Sequence, residues 1–243
     1  MISEIINDLK AHRRSYIDCN PIFASLAGGQ ITRFHYLAYL RETYHLIKHT
    51  PKYLNIAADR VAQSDERLSD YFHQFSLQET GHELLCIKDL NALGENPEKI
   101  LSGDPNPGVW GMVTQCYFWA SHGNPVALLG EAFATEELGF TNGKDVATLL
   151  QTTYGIPREA TNFLRLHGSE DKEHLEAAAR AIVWYAGNRD VYADIVYATK
   201  TTYRYYGQLF TDVLELGTRW AKGLAVTASF YLYSLISAYQ STS

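Results

Sequence analysis

Basic runs, long apolar stretches, paired cysteines and strand-like alternation are all missing from this 243-residue chain. Each absence removes a class of function. A net charge of −6 without a cluster of lysines or arginines argues against a nucleic-acid partner. No run of 18 or more apolar residues occurs, so no membrane-spanning helix is expected. The three cysteines, Cys19, Cys86 and Cys116, are odd in number and lack metal-site spacing, which argues against a disulfide framework. The opening Met1-Ile2-Ser3-Glu4 does not read as a signal peptide, and the expected compartment is the cytoplasm. No convincing period-two segment with hairpin turn signals appears, which points away from β-sheet.

What is present is helical periodicity, with 17 Tyr, 10 Phe and 4 Trp to fill a core. Breaks at Asn20-Pro21, Gly28-Gly29, Gly94 to Pro97, Ser102 to Gly108, Gly123 to Pro125, Gly155 to Pro157 and Gly187-Asn188 punctuate it. Between them the pattern predicts helices near 2–13, 31–63, 66–93, 109–122, 126–150, 158–186, 190–216 and 218–239. The last is apolar but carries Ser, Thr and Tyr, and reads as a packed or dimer-facing helix. With no repeat or linker, residues 1–243 read as one all-α domain.

Two of these helices carry chemistry inside an apolar seam. Phe163, His167, Asp171, His174, Ala178 and Ile182 fall at three- and four-residue steps, so they stack on one side of a helix. Its ends are apolar and its middle is three metal-binding groups. The stripe Phe72, Phe75, Glu79, His82, Cys86, Leu90 is built the same way, interrupted by Glu79-x-x-His82. Burying imidazoles and carboxylates together is costly unless something compensates them, and a metal ion does so. Glu-x-x-His projecting into a helical bundle is how four-helix carboxylate proteins hold paired iron or manganese.

Further ligands have to come from other helices. Among Glu131, Glu136 and Glu137, Glu136 continues the apolar stripe Val126, Leu129, Phe133, Phe140. Glu137 is its substitute, and Glu131 falls on a different side. At least two of the three read as solvated surface carboxylates. Farther upstream Glu42, His45 and His49 share a face beside the seam Leu37, Leu40, Tyr44, Ile47. Glu42 and His45 are both candidates, and His49 reads as a surface or helix-end residue. Glu42 with Glu79, Glu136 and Asp171 would balance two ferrous ions, which favours it over His45.

Taken together, Glu79-x-x-His82, a glutamate after Asn124-Pro-Val-Ala-Leu-Leu-Gly130, and His167-x3-Asp171-x2-His174 resemble the heme-oxygenase-like diiron oxidases and oxygenases. Tyr44-His45-x3-His49-Thr50-Pro51 and Thr202-Tyr-Arg-Tyr-Tyr206-Gly are similar to its iron-containing redox branch. The resemblance spans about residues 30–215. It implies a heme-oxygenase-like helical bundle, a central site for two non-heme iron ions, O2 as co-substrate, a small-molecule substrate and a homodimer.

Hard carboxylates with neutral imidazoles suit iron or manganese. The expected division puts Glu79, His82, Glu136 and His167 on one ion, with Glu79 free to bridge. Asp171, His174 and Glu42 or His45 go to the other. The expected activity is oxidation of a small organic compound at a C–C, C–N or N-centred site. Heme oxygenase and thiaminase II share the superfamily, so fold alone does not fix the chemistry. The rivals are a non-catalytic iron- or tetrapyrrole-binding protein and a metal-independent enzyme of the same fold.

Overall fold

The structure, a computed structural model, describes the backbone of residues 2–240 and the side chains of residues 4–169 and 172–223. Among the described residues there is no strand; the chain is helix joined by short connections. The α-helices are α1 (Ile2–Ala11), α2 (Pro21–Ala27), α3 (Arg33–Ile47), α4 (Thr50–Val61), α5 (Glu66–Glu79), α6 (Glu83–Ala92), α7 (Pro97–Ile100), α8 (Pro107–Ser121), α9 (Leu128–Tyr154), α10 (Asn162–Val183) and α11 (Arg189–Gln240). A π-helical turn at Arg14–Asp18 follows α1, and 3-10 turns at Pro125–Ala127 and Arg158–Ala160 lead into α9 and α10.

Local chemistry sets several of these boundaries. Asn20 Oδ1 accepts from Ile22 N–H at 3.1 Å with Pro21 in the first turn, which opens α2. Asp65 Oδ1 accepts from Leu68 N–H at 3.0 Å and opens α5. Gly155, at φ 64°, closes α9.

Three differences from the periodicity reading have physical causes. The segment 31–63 is two helices, because the proline of Thr50-Pro51 cannot donate to the preceding turn. The segment 66–93 breaks at Thr80–His82: Thr80 is extended (φ −66°, ψ 120°) and Gly81 sits at φ 90°, a conformation open to glycine. Conversely, no break occurs at Gly217. Helix α11 runs through it as one 52-residue helix, and a Cβ there would come within 2.5 Å of His35 Cα. The side chains of the expected packing or dimer helix at 218–239 lie mostly outside the described residues.

Helix α9 lies in the middle, packed on one side against α10 and on another against α11, with α1 and α8 adding further contacts. Phe72, Phe133, Leu40, Leu54, Leu68 and Leu90 are fully buried in the core. The α9–α10 crossing is backbone against backbone. A Cβ on Gly143 would stand 2.6 Å from Leu164 O, and one on Gly168 would stand 2.6 Å from Lys144 N. Only glycine lets the two helices approach this closely, and His167 sits directly beside that crossing. Gly168→Ala must therefore push the helices apart. The expected cost is about 1–3 kcal/mol in denaturant unfolding; an unchanged midpoint would mean that the crossing is not tightly specified.

Candidate metal centre

Helices α5, α6, α9 and α10 converge on one cluster. Glu79 is the last residue of α5 and His82 immediately precedes α6, so the Glu79-x-x-His82 pair spans a tight turn instead of lying on one continuous helix. The turn still brings them together, with Glu79 Oε2 3.3 Å from His82 Nδ1. Helix α10 is tied to α6 by Asp89. This buried carboxylate accepts from Asn162 N–H at 2.9 Å and Phe163 N–H at 3.0 Å, at the positive end of the α10 dipole. That anchor sets His167 opposite His82, ring centroids 5.0 Å apart and nearly perpendicular at 87°. About two turns along each helix from the glycine crossing, Glu136 Oε2 on α9 lies 3.3 Å from His174 Nδ1 on α10.

Two triads result, and they share a carboxylate. Glu79, His82 and His167 each present one ligand-type atom within 4.8 Å of the others, and so do Glu79, Glu136 and His174. Glu79, 5% exposed, stands between two groups that could each hold an ion. The structure places Glu136 beside Glu79 and His174, whereas the division expected from sequence grouped it with Glu79, His82 and His167. The side chain of Asp171 lies outside the described residues.

Neither Glu42 nor His45 reaches this cluster. Glu42 is fully buried, pairs with Arg41, and accepts from Asn106 N–H at 2.9 Å and Asn106 Nδ2 at 3.1 Å, pinning the loop before α8. His45 uses both ring nitrogens, Nε2 on Leu101 O and Nδ1 on Lys48 Nζ, each at 3.0 Å. Burial, with Lys48 and Arg41 nearby, pushes its pKa down to about 4. The helical face was read correctly, but these groups have structural partners in the loop at 101–106. Glu42→Ala is expected to cost on the order of 3 kcal/mol, because it leaves a buried arginine without its carboxylate. Iron content should be unchanged, measured by elemental analysis after reconstitution; loss of iron would return Glu42 to the centre.

The three α9 glutamates are all buried, contrary to the surface reading for at least two of them. Glu137 faces away from the cluster and accepts from Arg13 Nη1 at 2.7 Å and Tyr203 Oη at 3.3 Å. That separates it from Glu136. Glu131 lies beside the cluster without joining either triad, and sequence reasoning missed it. Its signal was the window Leu128–Leu138, in which every uncharged residue except Thr135 is glycine or apolar, leaving glutamates no solvent face. Of the aromatic residues on the three stripes, Phe75 and Phe163 line the cavity beside the cluster. Phe72 and Phe133 are core, and Phe140 is exposed.

The electrostatics suit a cation. Burial pushes Glu79 up, but His82, His167 and His174 outweigh it and hold the carboxylate below its ordinary value. Burial lowers His167, against the pull of Glu79 and Glu136, keeping the imidazole neutral and able to bind metal. Glu79 Oε1 is buried and has no hydrogen-bond partner among the described residues, a costly arrangement that a bound ion would resolve. A donor set of carboxylates and imidazoles fits iron or manganese. The adjoining cleft encloses about 1380 Å³ of unfilled space, part of it open to solvent, lined by Tyr39, Leu46, Phe75, Phe163 and Tyr206 among others. Both thiols near the core, Cys86 and Cys116, are buried and pushed well above their ordinary range by that burial, so neither is a ready nucleophile.

Comparison with solved structures agrees with this architecture. A domain of unknown function with a heme oxygenase-like fold from Shewanella denitrificans superposes with a TM-score of 0.83 at 20% identity, covering 92% of this chain and 96% of that one. A TenA homologue from Pseudomonas syringae gives 0.72 at 13% identity, covering 88% and 92%. A CADD-like protein of unknown function from Nostoc punctiforme gives 0.64 at 13%, covering 89% and 98%. At these identities the likeness establishes the heme-oxygenase-like fold alone. No protein of curated function matches the chain significantly. The family model for iron-containing redox enzymes matches residues 37–207, a span that contains both triads, and the chain belongs to that family.

Proposed function

We propose that the protein is a non-heme diiron oxidase or oxygenase acting on a small organic substrate. The observation that carries this is Glu79, a buried carboxylate shared by two ligand triads, which is what a two-metal site requires and a one-metal site does not. Glu79, His82 and His167 would hold one ion, and Glu79, Glu136 and His174 the other. The sequence adds Asp171, four residues after His167, as a further ligand. When bound, a ferrous pair supplies electrons to O2 for oxidation of the substrate.

The protein's own contribution is positioning and exclusion. Asp89 and the glycine crossing fix α10, and so fix both its histidines. Phe75 packs against His174 with ring centroids 5.8 Å apart, and Phe163 against His167 at 4.4 Å. These contacts hold the imidazoles in orientation. Burial lowers the His167 pKa, so a proton competes less with a metal ion for its imidazole.

An oxygen electrode tests the reading. Protein loaded with Fe(II) should consume O2 faster when a substrate from a panel of amines, amino acids and fatty acids is added, while unloaded protein should not. Iron bound without any substrate-dependent O2 uptake across the panel would favour an iron carrier.

A further inference from the structure

We propose that Glu131 is the substrate-recognition residue of the cleft and that it takes a protonated amine, so that the substrate is an amphipathic ammonium compound. This rests on the cleft being the substrate site of the enzyme proposed above.

Glu131 is 5% exposed and lies in the wall of a predominantly apolar cleft. Its Oε1 accepts from Tyr53 Oη at 3.0 Å and from Thr135 Oγ1 at 3.2 Å. Two hydroxyl donors on one oxygen are an arrangement that holds a carboxylate in place. The other oxygen, Oε2, is buried and has no hydrogen-bond partner among the described residues. A carboxylate oxygen in such a place is expensive unless a donor arrives.

The cleft itself supplies no counter-charge. Its described lining includes the carboxylates Glu79, Glu131 and Glu136 but no lysine or arginine. Glu79 and Glu136 are accounted for by the two triads; Glu131 is the surplus. On α9, Glu131 and Glu136 are five residues apart, about 140° around the helix, so they flank the cleft-lining face from opposite edges. A ligand gripped at Glu131 therefore extends along apolar wall toward the cluster. An ammonium brings a donor for Oε2 and the counter-charge that lets Glu131, protonated in the empty cleft, ionise against it. A carboxylate ligand would meet like charge, and an alcohol would bring a donor without charge.

Burial, opposed by Tyr53 and Thr135 and assisted by Glu136 and Glu79, pushes the empty Glu131 up to about 8. Tyr53, Tyr71, Tyr206, Thr135 and Cys116 interact with it besides the two cluster glutamates, and the cleft lining holds no lysine or arginine.

The probes are octylamine, octanol and octanoate, titrated calorimetrically into metal-free protein, so that the outcome does not depend on iron or O2. Wild type should bind octylamine saturably and at least about tenfold more tightly than octanoate or octanol. Glu131→Gln keeps an acceptor for Tyr53 and Thr135 but removes the charge. It should lose that preference while binding octanol as before. No saturable octylamine binding, no preference for it in wild type, or a preference retained in Glu131→Gln would each overturn the proposal; the last would place the amine on Glu79 and Glu136 instead. The wild-type comparison stands even if the variant fails to fold. Iron content, measured separately, reports on the diiron reading without reference to the amine.

Discussion

Replacing Glu79 with alanine is expected to remove both iron ions, whereas His82→Ala and His174→Ala should each remove about one. The asymmetry follows from the shared carboxylate: Glu79 belongs to both triads, His82 to one and His174 to the other. Losing one imidazole leaves the opposite triad complete, but losing Glu79 leaves each group with two ligand atoms and an uncompensated pair of metals. The folded chain should survive, because removing a buried carboxylate with a hydrogen-bond-free oxygen relieves an unfavourable burial in the metal-free state. Iron counted by elemental analysis after anaerobic reconstitution, with circular dichroism confirming helix content, reads this directly. If Glu79→Ala retained one ion, the two triads would not share it.

Glu131→Gln should stabilise the metal-free protein, increasingly so as the pH rises. An ordinary glutamate in the unfolded chain ionises near 4.5, but in the fold Glu131 stays protonated up to about 8. Its folded pKa is raised, so the unfolded chain loses this proton first. The stability associated with the neutral group is present in full below 4.5 and is lost as pH climbs through 8. One proton corresponds to a slope of at most about 1.4 kcal/mol per pH unit, so the penalty at pH 8 is on the order of 3 kcal/mol relative to pH 5. Glutamine does not ionise and escapes it. Thermal midpoints of the two metal-free proteins should nearly coincide at pH 5, and the variant should lead by roughly 5–10 °C at pH 8. Parallel pH profiles would show that Glu131 is ionised in the folded state. A residue retained against such a cost is more readily understood as a binding group than as part of the scaffold.

Much of this architecture was legible in the sequence. Helical periodicity alone set the all-α class, and the seams through Phe75 to Cys86 and Phe163 to Ala178 pointed to residues that the fold does gather: Glu79, His82, His167 and His174. What periodicity could not reveal was the turn between Glu79 and His82. One glycine at positive φ ends a helix without altering the spacing of the residues around it. Nor could a one-face pattern describe α9. Over residues 128–138 this helix, packed against α10 and α11, has no exposed residue, so Glu131 and Glu137 are buried although they lie off the stripe that Glu136 continues. Glu42 and His45 show the opposite limit. Their face was correct, but helical spacing gives direction without identifying the loop at 101–106 that occupies their polar atoms.

The direct test of the account is the iron stoichiometry of the wild-type chain itself. Anaerobic titration with Fe(II), followed by removal of unbound metal and elemental analysis, should saturate at two ions per chain. Saturation at one ion, or no retained iron, would contradict the shared-carboxylate centre on which the proposed oxidase or oxygenase activity depends.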